Sequence, residues 1–123
     1  MVTLYGINNC DTVKKARKFL EQHAVEYTFH DFRKDGLTSA GVSNWLTTLG
    51  SDKLINKRSR TWKILDEKQQ LSFEQAGANK IAVTTVIDNP TVMKRPILEI
   101  CKGKGKPKYV VGFDQKEYLA LFS

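Results

Sequence analysis

The feature that most constrains this chain is a change of hydrophobic period across a short polar turn near its start. Val2-Thr3-Leu4-Tyr5 is a brief apolar run that reads as a strand. Gly6 to Asn9 reads as a turn, in which Asn tolerates left-handed backbone. From Thr12, Val13, Ala16, Phe19, Leu20 and Ala24 recur at helical spacing, while Lys14, Lys15, Arg17 and Lys18 face out. Cys10 stands between strand and helix. That order places a thiol at the positive end of a helix dipole, where the thiolate, the reactive form, is favoured.

Further along, Val25, Tyr27, Phe29 and Phe32 predict a second strand at about 25–31. This completes a βαβ unit, whose two strands should be parallel with a right-handed crossover. Thr38 or Ser39 is the expected N-cap of a helix whose face is Val42, Trp45, Leu46 and Leu49 and whose end is Gly50. Residues 52–67 carry short helical fragments, including Trp62, Ile64 and Leu65. A helix capped by Ser72 is expected to run to Ala76 and to stop at Gly77. Ile81 to Ile87 reads as a helix, although its β-branched residues also suit a strand. Pro96 opens a third strand ending at Cys101, and Tyr109-Val110-Val111 is a fourth. Gly112-Phe113-Asp114 then caps a terminal helix with Tyr118, Leu119 and Phe122 on its inner face.

The order is βαβ, a helical block, then ββα. It predicts an α/β fold: a thioredoxin-like four-stranded mixed sheet with a helical insertion at about 37–90 between its halves, in one domain over residues 1–123. No run approaches the roughly 18 apolar residues of a membrane span, and the N-terminus enters a strand directly. A cytoplasmic protein without a signal peptide or membrane contact is expected, with both cysteines reduced.

The formal net charge of +7 favours anionic partners: nucleic acid, an oxyanion or glutathione. A solvated cationic surface is the plainer reading. The lysine-rich piece Lys102–Lys108 lies between two strand-like runs, so a hairpin turn accounts for it without nucleic acid. His23 and His30 are isolated and lack metal-ligand spacing, so no metal site is expected.

Cys10 admits two readings, a buried structural thiol and a reactive one; its place between strand and helix favours the second. Position 13 is Val, so the motif Cys10-Asp11-Thr12-Val13 is monothiol rather than CxxC. The resolving thiol must then come from outside, which favours glutathione as co-substrate with no tightly bound cofactor. Asn8 suits the turn; Asn9 suits either the turn or amide donation to a bound anion. Thr12 is expected to cap the helix, and its hydroxyl is also within the compass of the Cys10 thiolate. Asp11 falls in the first helical turn, where a carboxylate is favourable. Lys57, Arg58 and Arg60 fit an anion-binding rim or an exposed helical face equally well. In an antiparallel third strand Cys101 lies five residues beyond Pro96, roughly 15 Å or more at about 3.3 Å per residue. That is outside the roughly 7 Å of a disulfide, so Cys101 is read as structural.

Four segments in this order and spacing resemble the arsenate reductase (ArsC) family, in its Spx/YffB-like branch. They are Tyr5-Gly6-Ile7-Asn8-Asn9-Cys10-Asp11-Thr12-Val13-Lys14-Lys15-Ala16, Leu54-Ile55-Asn56-Lys57-Arg58-Ser59-Arg60-Thr61-Trp62, Lys94-Arg95-Pro96-Ile97 and Val111-Gly112-Phe113-Asp114. The resemblance implies Cys10 as the catalytic nucleophile and Arg95, before a cis Pro96, as the anion-binding arginine. Alone, Arg95 would read as a surface residue. In arsenate reductases the thiolate attacks arsenate, glutathione resolves the adduct and glutaredoxin recycles the enzyme. Two further arginines bind the oxyanion there; here Asn56 and Val111 occupy those positions, with Arg58 and Arg60 displaced nearby. The YffB-type resemblance implies instead a glutathione-dependent thiol reductase acting on a small oxyanion or disulfide. The Spx branch implies an alternative, a regulator that binds RNA polymerase without turnover, but Spx proteins commonly carry a CxxC switch absent here.

Overall fold

The computed structural model describes residues 1–75 and 77–122. The chain divides into two compact units: Met1–Asp35 with the residues from Arg95 onward, and Gly36–Lys94.

The first unit holds the sheet. Its strands are β1 (Val2–Gly6), β2 (Thr28–Asp31), β3 (Ile97–Ile100) and β4 (Lys108–Val111), in the order β2-β1-β3-β4. β1 runs parallel to β2 and antiparallel to β3, and β3 is antiparallel to β4. The expected mixed four-stranded α/β sheet is therefore present. Period-2 alternation gives it a core face. Leu4, Leu98, Ile100 and Val110 point one way and meet Val13, Ala16, Phe19 and Leu20 of α1 (Asp11–Gln22) and Tyr118 of α7 (Gln115–Phe122). Tyr118 is fully buried; its ring meets Phe19 and Phe113 edge-on at 5.5 Å and 4.7 Å.

Several expected details differ. Ala24 is exposed, beyond the end of α1, with φ of 54°. It closes the helix instead of extending its apolar stripe. β2 starts at Thr28, later than the expected 25, and β3 stops at Ile100, before Cys101. Leu119 is 38% exposed; Leu121 and Phe122 pack inward with Tyr118. Asp114 does cap α7, its Oδ1 accepting from the Glu117 backbone N–H.

The second unit is helical: α2 (Ser39–Leu49), α3 (Ser51–Leu54), α4 (Arg60–Ile64), α5 (Glu67–Ser72), α6 (Lys80–Asp88) and a 3₁₀ turn, Pro90–Val92. Thr38 caps α2 by accepting from Gly41 N–H, and Gly50 at φ 79° turns the chain into α3. The 81–87 stretch is helical, capped by the Asn79 side chain. Ser72 is not a cap but the last residue of α5. That helix starts earlier, where Asp66 and Gln69 form a reciprocal capping box. The expected helix at 72–76 is thus absent over its described residues, and Ala76 lies outside them.

Candidate functional site

The site is built where β1 ends. Gly6 closes the strand because only a residue without a side chain fits there. A Cβ would come within 2.7 Å of Val13 Cγ2. This close approach presses the first turn of α1 onto the strand. It also fixes the short Ile7–Asn9 connection, in which Ile7 is buried and Asn8 and Asn9 are exposed.

Cys10 occupies the N-cap position of α1, with extended backbone (φ −108°, ψ 123°). Its carbonyl accepts the first helical hydrogen bond from Lys14 N–H at 3.0 Å, while its side chain makes no capping hydrogen bond. The thiol is half-buried against the core and not consumed by the helix it precedes. Thr12, expected to be the cap, lies inside the first turn instead, because the cap is Cys10 and the helix begins two residues earlier than a Thr12 cap requires, at Asp11. The position of a second cysteine in a CxxC motif is held by Val13, which is fully buried.

The antiparallel register brings the third strand's start to the same end of the sheet. Ile97 pairs with Tyr5. Arg95 and Pro96 therefore precede β3 at the end where Cys10 follows β1. The Arg95–Pro96 peptide bond is cis. Arg95 is half-buried and its Nε is enclosed. Pro96 is buried, and its carbonyl accepts from Gly112 N–H at 2.8 Å, which ties the end of β4 to the same place. Asn9, Cys10, Thr12, Arg95 and Pro96 thus gather at one end of the sheet unit. Arg58 and Arg60 belong to the helical unit, where both are exposed. Arg58 donates its backbone N–H to Asn56 Oδ1, and Arg60 opens α4 after the Ser59 cap. Lys57 lies over the Trp62 ring, with Nζ 5.6 Å from the centroid.

Cys101 lies at the opposite end of the sheet, one residue past the Val2–Ile100 pair. Its backbone N–H and carbonyl bind the carbonyl and the ammonium group of Met1, at 2.9 and 2.8 Å. Both cysteines are free thiols. His23 stacks on Phe19 at 4.0 Å, and His30 lies 5.0 Å from the Tyr5 ring. Among the described residues no group of three or more His, Cys, Asp or Glu could hold a metal ion, and no helix is long and apolar enough to cross a membrane.

One supporting residue escaped the sequence reading. Arg17 was expected to face out with its lysine neighbours. It is half-buried: Nε donates to the Tyr27 hydroxyl at 3.0 Å, and the guanidinium lies 4.2 Å from the Phe29 centroid. A longer bond at 3.4 Å reaches Asn8 Oδ1, so Arg17 also holds the turn before Cys10. The aromatic pair Tyr27 and Phe29 one strand away was the available signal, since Arg stacks on such faces.

The sequence model of the ArsC family matches residues 5–121. The chain belongs to the ArsC family. It is 44% identical over 123 residues to an uncharacterized protein of Haemophilus influenzae, covering all of both chains. It is 28% identical to the regulatory protein MgsR of Bacillus subtilis, over 98% of this chain and 89% of MgsR. Among solved structures, a YFFB protein shares 33% identity with a TM-score of 0.84 over 100% of both chains. An arsenate reductase (ArsC) related protein from Brucella melitensis shares 36% identity with a TM-score of 0.68, over 98% of this chain and 93% of that one. ArsC-family relatives thus include both arsenate-reductase-related proteins and regulators. The thioredoxin-like fold expected from the order of elements is that of these ArsC relatives.

Proposed function

We propose that this ArsC-family protein is a glutathione-linked monothiol oxidoreductase, an arsenate-reductase-like thiol reductase with Cys10 as its nucleophile. The observation that carries this reading is the placement of Cys10. It is a free thiol at the cap of α1, its side chain not used for capping, with the Arg95–Pro96 turn at the same end of the sheet.

In the proposed cycle the Cys10 thiolate attacks one sulfur of a substrate disulfide. The Cys10–substrate S–S bond forms, the original S–S bond breaks, and the other half leaves as a thiolate. Glutathione thiolate attacks the substrate sulfur of that mixed disulfide and releases Cys10. A second glutathione attacks the resulting glutathione–substrate disulfide, giving the reduced substrate thiol and oxidised glutathione. Val13 supports the external thiol, because a buried valine stands where an internal resolving cysteine would. Arg95 supplies a fixed positive charge for the thiolate or for an oxyanion, with Asn9 and Thr12 as polar neighbours. Arg58 and Arg60, both exposed on the helical unit, are proposed as anion contacts of that unit by itself. Glutaredoxin is the proposed recycling partner if arsenate is the substrate, and the proposed location is the cytoplasm.

Turnover with glutathione and glutaredoxin, on arsenate and on model disulfides, tests this reading with wild type and Cys10→Ser. Turnover abolished by Cys10→Ser supports it. Equal rates in both proteins, or none in either, contradict it. Likeness to the regulatory protein MgsR favours a second reading, a regulator without turnover; the Spx resemblance gives that reading RNA polymerase as its partner. Retention of RNA polymerase together with absent turnover would select it.

A further inference from the structure

A groove of about 600 Å³ runs along α1 on the sheet unit. One wall is a helical stripe of Thr12, Lys15, Lys18 and Gln22, and the other is Phe113 and Gln115 at the start of α7. Phe19 also lines it, its ring centroid 5.9 Å from that of Phe113. Among the described residues no carboxylate lines it. Asp114, between the two far-wall residues in sequence, spends its Oδ1 on capping α7. The groove starts two residues after Cys10 and ends at His23. Cys10, the N-cap of α1, stands two residues before Thr12, the first residue in the chain that lines the groove. At 1.5 Å rise per residue, Thr12 to His23 spans about 16 Å.

We propose that this groove binds an extended acidic peptide chain attached to the sulfur that reacts with Cys10, so that the substrate class is a protein or peptide disulfide rather than glutathione alone. The inference rests on Cys10 being the reacting thiol. The spacing supports an extended chain. Lys15 and Lys18 lie about 7.5 and 12 Å along the helix from Cys10, and extended peptide advances about 3.3 Å per residue. The second and fourth residues from the reacting cysteine therefore meet the two lysines, and carboxylates there pair with them. The residue between points to the opposite side of the strand, toward the Phe19 and Phe113 rings, and should be apolar. Glutathione is too short for both contacts. Its carboxylates lie no more than about two extended residues from its sulfur-bearing residue, within reach of Lys15 but short of Lys18.

The test separates binding from thiol chemistry. The probes are fluorescein-labelled Ser-Gly-Glu-Leu-Glu and its reverse, Glu-Leu-Glu-Gly-Ser, with serine in place of the reacting cysteine. Their binding to Cys10→Ser protein is followed by fluorescence anisotropy. One orientation should bind. Adding Lys15→Ala and Lys18→Ala should weaken it about fivefold, on the scale of two exposed ion pairs. Adding Lys104→Ala, in the β3–β4 turn, should leave it within twofold. No binding by either probe, or an equal loss from Lys104→Ala, overturns the proposal.

A second arm measures exchange of oxidised glutathione at Cys10 in otherwise native protein. Lys18→Ala alone should weaken peptide binding about twofold and leave the glutathione exchange rate unchanged within error. An equal twofold loss in both arms assigns the groove to glutathione and overturns the peptide reading. Failure of Cys10 as a nucleophile shows only in this arm, because the binding arm uses no thiol.

Discussion

Tyr5 of β1 and Ile97 of β3 stand directly opposite each other in an antiparallel pair. That pairing sets the geometry of the proposed site. One residue before Ile97 is the buried Pro96, and Arg95 precedes it. One residue after Tyr5 is Gly6, and the turn to Cys10 begins there. Residues 85 positions apart in sequence, Cys10 and Arg95, are brought to one end of one sheet by a single register.

The register carries a prediction for Arg95. Arg95→Ala should slow alkylation of Cys10 by iodoacetamide at pH 7 about two- to fivefold, the scale of one partly screened charge pair. Arg95→Lys should recover part of the rate, since the charge returns without the planar fork. Lys104→Ala, in the exposed turn between β3 and β4, should have almost no effect. An unchanged rate in Arg95→Ala removes Arg95 from the thiol site.

Gly6 gives a prediction for stability. In Gly6→Ala the new Cβ meets Val13 Cγ2 at 2.7 Å and Cγ1 at 3.2 Å, and Val13 is fully buried with no room to retreat. Overpacking of this kind costs about 1–3 kcal/mol. The urea midpoint should fall with the slope unchanged. Gly105→Ala, whose Cβ would meet only the Lys102 carbonyl at 3.6 Å, should leave the midpoint nearly in place. Equal midpoints for the two variants would refute the close approach.

How much of this was visible in the sequence follows from range. The strand–turn–cysteine–helix opening is local, and its apolar periods place Cys10 between β1 and α1 to within a residue. The order of elements was enough for the sheet and the helical insertion. What failed depended on contacts between elements. Arg17 sits among lysines and reads as solvated, yet Tyr27 and Phe29 of the neighbouring segment bring it inward. Leu119 fits the apolar stripe of α7, yet the packing of that helix leaves it outside and buries Tyr118. Asp66-x-x-Gln69 was a legible capping box; the β-prone and polar residues around it hid a helix of only six residues. Arg95 was named only through the resemblance of Lys94-Arg95-Pro96-Ile97; taken alone it reads as a surface residue, because its place near Cys10 comes from the Tyr5–Ile97 register.

Tyr5 supplies a pH-dependent prediction. Burial, and then the nearby Glu99 carboxylate that accepts its hydroxyl at 3.4 Å, push its pKa up from 10.0 to about 12. The protonated phenol is favoured in the folded state. Its contribution to stability is therefore complete below pH 10 and is lost as the pH rises through about 12. The urea midpoint of the wild type should fall across that window, and Tyr5→Phe should fall less steeply. Burial also raises the pKa of Tyr118, so part of the decline remains in the variant. Parallel curves for the two proteins would show that Tyr5 does not titrate between those limits.

The central claim is that Cys10 works as a single thiol resolved from outside. Intact mass after incubation with oxidised glutathione tests it most directly. One glutathione should add to the wild type, peptide mapping should place it on Cys10, and Cys10→Ser should lose it. Cys10 and Cys101 stand at opposite ends of the sheet, so no internal bridge should form. An adduct that survives Cys10→Ser, or a monomer lighter by two hydrogens with a Cys10–Cys101 bridge, would contradict the account.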